Sequence, residues 1–149
     1  MECECLIEMI GFIVTIAGFI ITIITLKKGQ NDLRISNVLK LKEIFNEYLD
    51  IHSKLSPNGE WNNPNFNFNN ISSKEFSKFN DYAGIFEAVK LMLENGSLKQ
   101  PEFKTFFLYR LSNIATCKAA MENIYENIDN WTNLIDLMNQ FNLINEHNN

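Results

Sequence analysis

No lysine or arginine occurs in the first 26 residues; all thirteen lie at Lys27 or beyond. A cleavable secretory signal needs a basic leader ahead of its apolar stretch, so this start does not fit one. Histidine is nearly absent too, with only His52 and His147. The three cysteines are Cys3, Cys5 and Cys117. No His-x-x-His, His-Glu-x-x-His or Cys-x-x-Cys pairing exists, and Cys3-x-Cys5 is too close and isolated to serve as half of a zinc site. Glycine is scarce, at six residues. That excludes a glycine-rich phosphate loop, and no serine sits in a Gly-x-Ser-x-Gly elbow. The sequence therefore assigns no catalytic, metal or cofactor residue, and a non-enzymatic protein is expected. After residue 26 thirteen bases face fifteen acids. A near-neutral domain without a basic field argues against nucleic acid as a partner.

The longest feature present is the apolar run Met9–Leu26, MIGFIVTIAGFIITIITL. As a helix it would cover roughly 27 Å, close to the ~30 Å hydrocarbon core of a bilayer. The run predicts one uncleaved transmembrane helix over residues 9–26, with the lipid bilayer as a partner. Lys27 and Lys28 follow it directly, and basic flanks stay on the cytoplasmic side. The expected layout is a bacterial inner-membrane protein. Residues 1–8 would lie outside, 27–34 would form a juxtamembrane hinge, and 35–144 would form a cytoplasmic bundle with a frayed tail at 145–149. Cys3 and Cys5, outside in this topology, are candidates for crosslinking or lipid attachment. Gly11, Thr15, Gly18, Thr22 and Thr25 recur at helical spacing within the run. Small and hydroxyl-bearing residues on one stripe let helices approach closely, so a homo-oligomer is expected.

The rest of the chain reads as all-α, with about four helices in an antiparallel bundle. Ile35, Val38, Leu39, Leu41, Phe45, Tyr48, Leu49, His52 and Leu55 keep helical spacing. Ser56-Pro57-Asn58-Gly59 stops that helix and opens a loop over 56–72. There Trp61, Phe66 and Phe68 alternate with asparagine. These rings either plug the core edge or anchor a cytoplasmic protein partner, and they form the candidate partner surface. Ser72 to Glu75 reads as a capping box for the next helix, whose face carries Phe76, Phe79, Tyr82, Phe86, Val89 and Leu93. Asn95-Gly96 ends it and Pro101 suits the following start. One long helix from Phe103 to Ile128 and a last one beginning near Asp129–Asn130 complete the pattern.

Arg110 interrupts an otherwise apolar stripe of Phe103, Phe107 and Ile114. A buried charge needs a counter-charge, so a buried ion pair is considered, with Glu75, Asp81 or Glu87 as partner. Snorkelling of the side chain to the bundle edge would also satisfy it. Cys117, on the same helical face, reads as a core thiol.

The segments GFIVTIAGFIITIITLKK (11–28), NDLRISNVLKLKEIFNEYLDI (31–51) and FNDYAGIFEAVKLMLENGSLKQPEFKTFFLYRL (79–111) occur in that order. The arrangement resembles small bacterial single-pass membrane proteins of unknown function with a cytoplasmic helical module. Some proteins of that type look like phage-defence accessories or effectors. The resemblance implies a self-associating, membrane-perturbing effector or signal-responsive module. A passive tethered scaffold that recruits a protein partner is the other reading. No site residue follows from the resemblance, because it contains no signature residue.

Overall fold

The computed structural model describes residues 2–144, and the side chains of 20–144 apart from Asn69. Among the described residues all regular structure is helical: α1 (Glu2–Glu47), α2 (Leu49–Leu55), α3 (Ser73–Glu94), α4 (Gln100–Phe106), α5 (Leu108–Thr116), α6 (Lys118–Glu126) and α7 (Thr132–Gln140). Three single 3₁₀ turns, Glu60–Asn62, Phe68–Asn70 and Ile128–Asn130, punctuate the connections. The chain divides into two compact units, residues 1–36 and 37–149.

In the first unit the expectation of a transmembrane anchor is corrected. Among the described residues no helix is long and apolar enough to cross a membrane. Helix α1 runs on past Leu26 without a break. Lys27, Lys28, Asp32 and Arg34 then follow within the same helix. An inner-membrane location, a single-pass topology and an outside N-terminus lose their support with it. Met9–Phe19, including Gly11, Thr15 and Gly18, lie outside the described side chains, as do Cys3 and Cys5. Residues 27–34, expected as a hinge, are helical. Thr22 and Thr25 are exposed, and the Thr25 hydroxyl donates to the Ile21 carbonyl of its own helix at 2.9 Å.

The second unit is built around aromatic rings. Val38, Leu41 and Phe45, spaced on one face of α1, are buried. Phe45 lies 5.7 Å from Tyr82, 5.1 Å from Phe86 and 5.3 Å from Phe107 by ring centroids. It thereby ties α1 to α3 and to the α4–α5 junction. Each fully buried ring of this kind contributes roughly 1.5–3 kcal/mol. The Ser72 hydroxyl accepts the Glu75 N–H at 3.3 Å and donates to the Glu75 carboxylate at 3.1 Å. Both bonds stay within the first turn of α3, at its N-cap. At the other end Gly96 takes φ +77°, the left-handed conformation that stops a helix without a Cβ penalty. Helix α3 then packs along α7, the most extensive helix pair of the unit.

The expected count of about four helices is exceeded because two of them are broken. The first bends at Tyr48, where φ −111° and ψ 28° separate α1 from α2. The second, expected to run from Phe103 to Ile128, breaks at Phe107 and again at Cys117. Cys117 is extended, at φ −82° and ψ 104°. Neither break contains proline or glycine. Tertiary packing sets them instead: Phe107 and Cys117 are both buried, and the Cys117 thiol reaches the Trp61 carbonyl at 3.4 Å.

Candidate functional site

The break at Phe107 restarts the helix so that α5 turns Arg110 into the unit. Arg110 is 7% exposed and is the one buried charged residue among those described. Its guanidinium carbon lies 5.3 Å from the centroids of both Phe45 and Tyr109, a distance at which a cation is attracted to a ring face. The Tyr82 hydroxyl lies beside the guanidinium and sits 3.2 Å from His52 Nδ1. The direction of the Tyr82–His52 bond follows the imidazole tautomer: with Nδ1 unprotonated, the phenol donates to it. That direction requires a neutral imidazole. Burial, and then the charge on Arg110, hold His52 below its ordinary pKa. Burial likewise pushes the Tyr82 phenol upward, against the opposing influence of Arg110.

The three carboxylates that the sequence offers Arg110 are placed elsewhere. Glu75 pairs with Lys54, Glu87 accepts the Leu134 N–H at 2.6 Å, and Asp81 is exposed on α3. Among the described residues Arg110 makes no ion pair, and its Nη1 is buried with no hydrogen-bond partner. Arg110 also lines a half-open cavity of about 320 Å³, together with Lys42, Phe45, Asn46, Thr105, Phe106, Phe107 and Tyr109. Lys42 is the second cation in this wall, its ammonium 3.7 Å above the Phe106 ring. Among the described residues no carboxylate lines the cavity.

A second concavity forms where the asparagine-rich segment meets α6. The Asn62 amide donates to the carbonyls of Leu55 and Ser56, both at 2.7 Å, and so closes the end of α2 with a side chain. Trp61 is 1% exposed. It stacks on Phe66 at 5.7 Å and meets Phe68 at 5.0 Å and Phe79 at 5.8 Å. Of the expected partner surface, Trp61 is thus a core ring, while Phe66 and Phe68 are half-buried against it. The resulting cleft, about 250 Å³, is lined by Trp61, Asn62, Asn63, Pro64, Phe66, Thr116, Lys118, Ala119 and Glu122. Trp61 Nε1 is buried without a partner.

No group of three or more histidine, cysteine or carboxylate side chains is placed to hold a metal among the described residues. Sequence reasoning singled out Arg110 but missed its link to His52 and Tyr82. The available signal was that His52, like Arg110, falls on an apolar helical stripe. Lys42 gave no such signal, since lysine on a helix is ordinarily solvated. Compared with family models, curated proteins and solved structures, the chain finds no match in any of the three.

Proposed function

We propose that this chain is a non-enzymatic helical module that binds a protein partner, with an extended peptide segment of that partner seated in the cleft between the asparagine-rich segment and α6. The observation that supports this reading is the construction of the cleft. Its asparagine-rich wall is fixed by buried aromatic packing and by the Asn62 amide. Its rim nevertheless leaves Asn63, Pro64, Thr116, Lys118 and Glu122 exposed. A rigid rim of mixed polarity with half-buried Phe66 at its floor suits a peptide, because apolar anchoring and backbone hydrogen bonding are available side by side.

The test is site-specific photocrosslinking of the full chain in its own cells, with the crosslinker at Thr116 in the cleft or at Tyr125 away from it. One predominant protein adduct from Thr116, lost when Ala119→Trp fills the cleft, supports the reading. Identical adducts from both positions, or adducts indifferent to Ala119→Trp, overturn it.

Self-association is a second reading. Ile20, Ile21, Ile23, Ile24 and Leu26 are all exposed. At 100° per residue they spread over about 220° of the helix, with Thr22 and Thr25 in the remaining sector, and an apolar face that wide requires cover. We propose that other copies of the chain supply it. Sedimentation of the full chain should show an oligomer that Ile21→Lys with Ile24→Lys dissociates. A monomeric wild type would remove this reading.

A further inference from the structure

We propose that the cavity beside Arg110 is a binding site for a small organic phosphate, its dianionic head held between Arg110 and Lys42 and its organic body lying against Phe106 and Tyr109. The inference is independent of the peptide cleft, which lies on other residues. It starts from a charge that the fold leaves uncompensated. A buried guanidinium is normally matched by a carboxylate, and a buried N–H normally has an acceptor. Among the described residues Arg110 has no carboxylate partner, and its Nη1, sealed inside the fold, has no acceptor either, so the charge turned toward the cavity is uncompensated. Its ring contacts with Phe45 and Tyr109 offset only part of the desolvation. The Tyr82 hydroxyl beside it is neutral.

Lys42 sharpens the choice of ligand. It brings a second positive charge to the same wall, resting on the Phe106 ring rather than in an ion pair. Two cations with no lining carboxylate favour a dianion over a monoanion, which points to a phosphate monoester ahead of a carboxylate. The Asn46 amide, on the same wall, is a further donor. The Thr105 hydroxyl is committed to the Pro101 carbonyl at 2.8 Å and can only accept. Phe106 and Tyr109, 37% and 51% exposed, are the rings a ligand can reach from outside. A cavity of about 320 Å³ exceeds a bare phosphate and leaves room for an organic group. Its size lies at the lower end of the range for small-molecule sites.

The experiment is calorimetric titration of the full chain with phenyl phosphate, inorganic phosphate and phenol. Lys42→Met and Arg110→Lys variants are titrated alongside, after their helix content has been checked. Lys42 is half-buried and lies outside the buried core, so its variant stays informative even if Arg110→Lys does not fold. The expected result is saturable one-to-one binding of phenyl phosphate, tighter than inorganic phosphate, with no binding of phenol. Lys42→Met should weaken it about tenfold, the loss of one charge-assisted contact. Three results would overturn the proposal. One is no saturable binding by the folded wild type. Another is inorganic phosphate binding as tightly as phenyl phosphate. The third is binding unchanged in Lys42→Met, which would mark an adventitious ion only.

Discussion

Glu87 of α3 accepts the backbone N–H of Leu134, in the first turn of α7, at 2.6 Å. Helix α7 has no side-chain cap of its own, since Trp131 occupies its N-cap position. A carboxylate from a neighbouring helix fills that role and places negative charge at the positive end of the helix dipole. Replacing Glu87 with alanine leaves that N–H without its partner. We expect a loss of about 1–2 kcal/mol in denaturant unfolding, with Glu87→Gln retaining most of the stability because it keeps an acceptor. Equal loss in both variants would show that the charge, not the hydrogen bond, is what matters.

Gly59 yields a second prediction, from space rather than charge. A Cβ added there would run into the backbone carbonyls of Ser53 and Lys54. The Gly59 N–H meanwhile donates to the Ser56 carbonyl at 2.7 Å, which folds the loop tightly under the end of α2. Backbone cannot yield as a flexible side chain can. Gly59→Ala should therefore cost about 2 kcal/mol. A control at Gly84, where a Cβ meets nothing within 4 Å, should be neutral or stabilising, since alanine favours a helix interior. A melting comparison of the two variants checks this directly.

What could be read from sequence, and what could not, divides along the same line. Helical periodicity correctly placed Phe79, Tyr82, Phe86 and Val89 on the buried face of α3, and Ser72 as its cap. Those features are local: spacing and a short-range hydrogen bond determine them. The breaks at Phe107 and Cys117 have no local signal, because long-range burial sets them. Glu87 reads from sequence as a candidate partner of Arg110, whereas its actual partner, the Leu134 N–H, lies 47 residues away. The membrane expectation rests on an eighteen-residue apolar run, whereas among the described residues no helix is long and apolar enough to cross a membrane. For Arg110, sequence posed the question of a partner. Only the fold shows that Glu75 and Glu87 are engaged elsewhere.

Cys117 provides a chemical probe of the break it occupies. Its thiol is buried and donates to the Trp61 carbonyl, and burial raises its pKa above the ordinary thiol value. Thiolate is the reactive form, so both access and ionisation protect it. In a Cys3→Ser, Cys5→Ser background, alkylation of Cys117 should proceed only as fast as the second unit opens. Added denaturant should accelerate labelling in step with unfolding. Labelling that is fast in the native protein, or independent of denaturant, would mean that the contact with Trp61 opens on its own.

His52 should make the stability of the second unit depend on pH near neutrality. Arg110, Tyr82 and Tyr109 surround the ring. Because burial and Arg110 lower its folded pKa, the native state prefers the neutral imidazole while the unfolded chain protonates near its ordinary value of about 6.5. The stabilising contribution is thus complete above that value. It declines as pH falls from about 6.5 towards the lower folded pKa, and below that no further loss comes from this group. Asp50, lowered mainly by its hydrogen bond from Lys78, and Glu75, lowered mainly by its hydrogen bond from Lys54, act in a different window. Their contribution is present above the ordinary carboxylate range of about 4 and is lost as pH falls through their depressed values. Unfolding free energies measured between about pH 7 and pH 5 should therefore decrease in the wild type. His52→Asn, which keeps a polar partner for Tyr82 without a titrating ring, should flatten that decline. An unchanged slope in the variant would show that His52 is solvated in both charge states, and donation from the Tyr82 hydroxyl to a neutral His52 would then have to be abandoned.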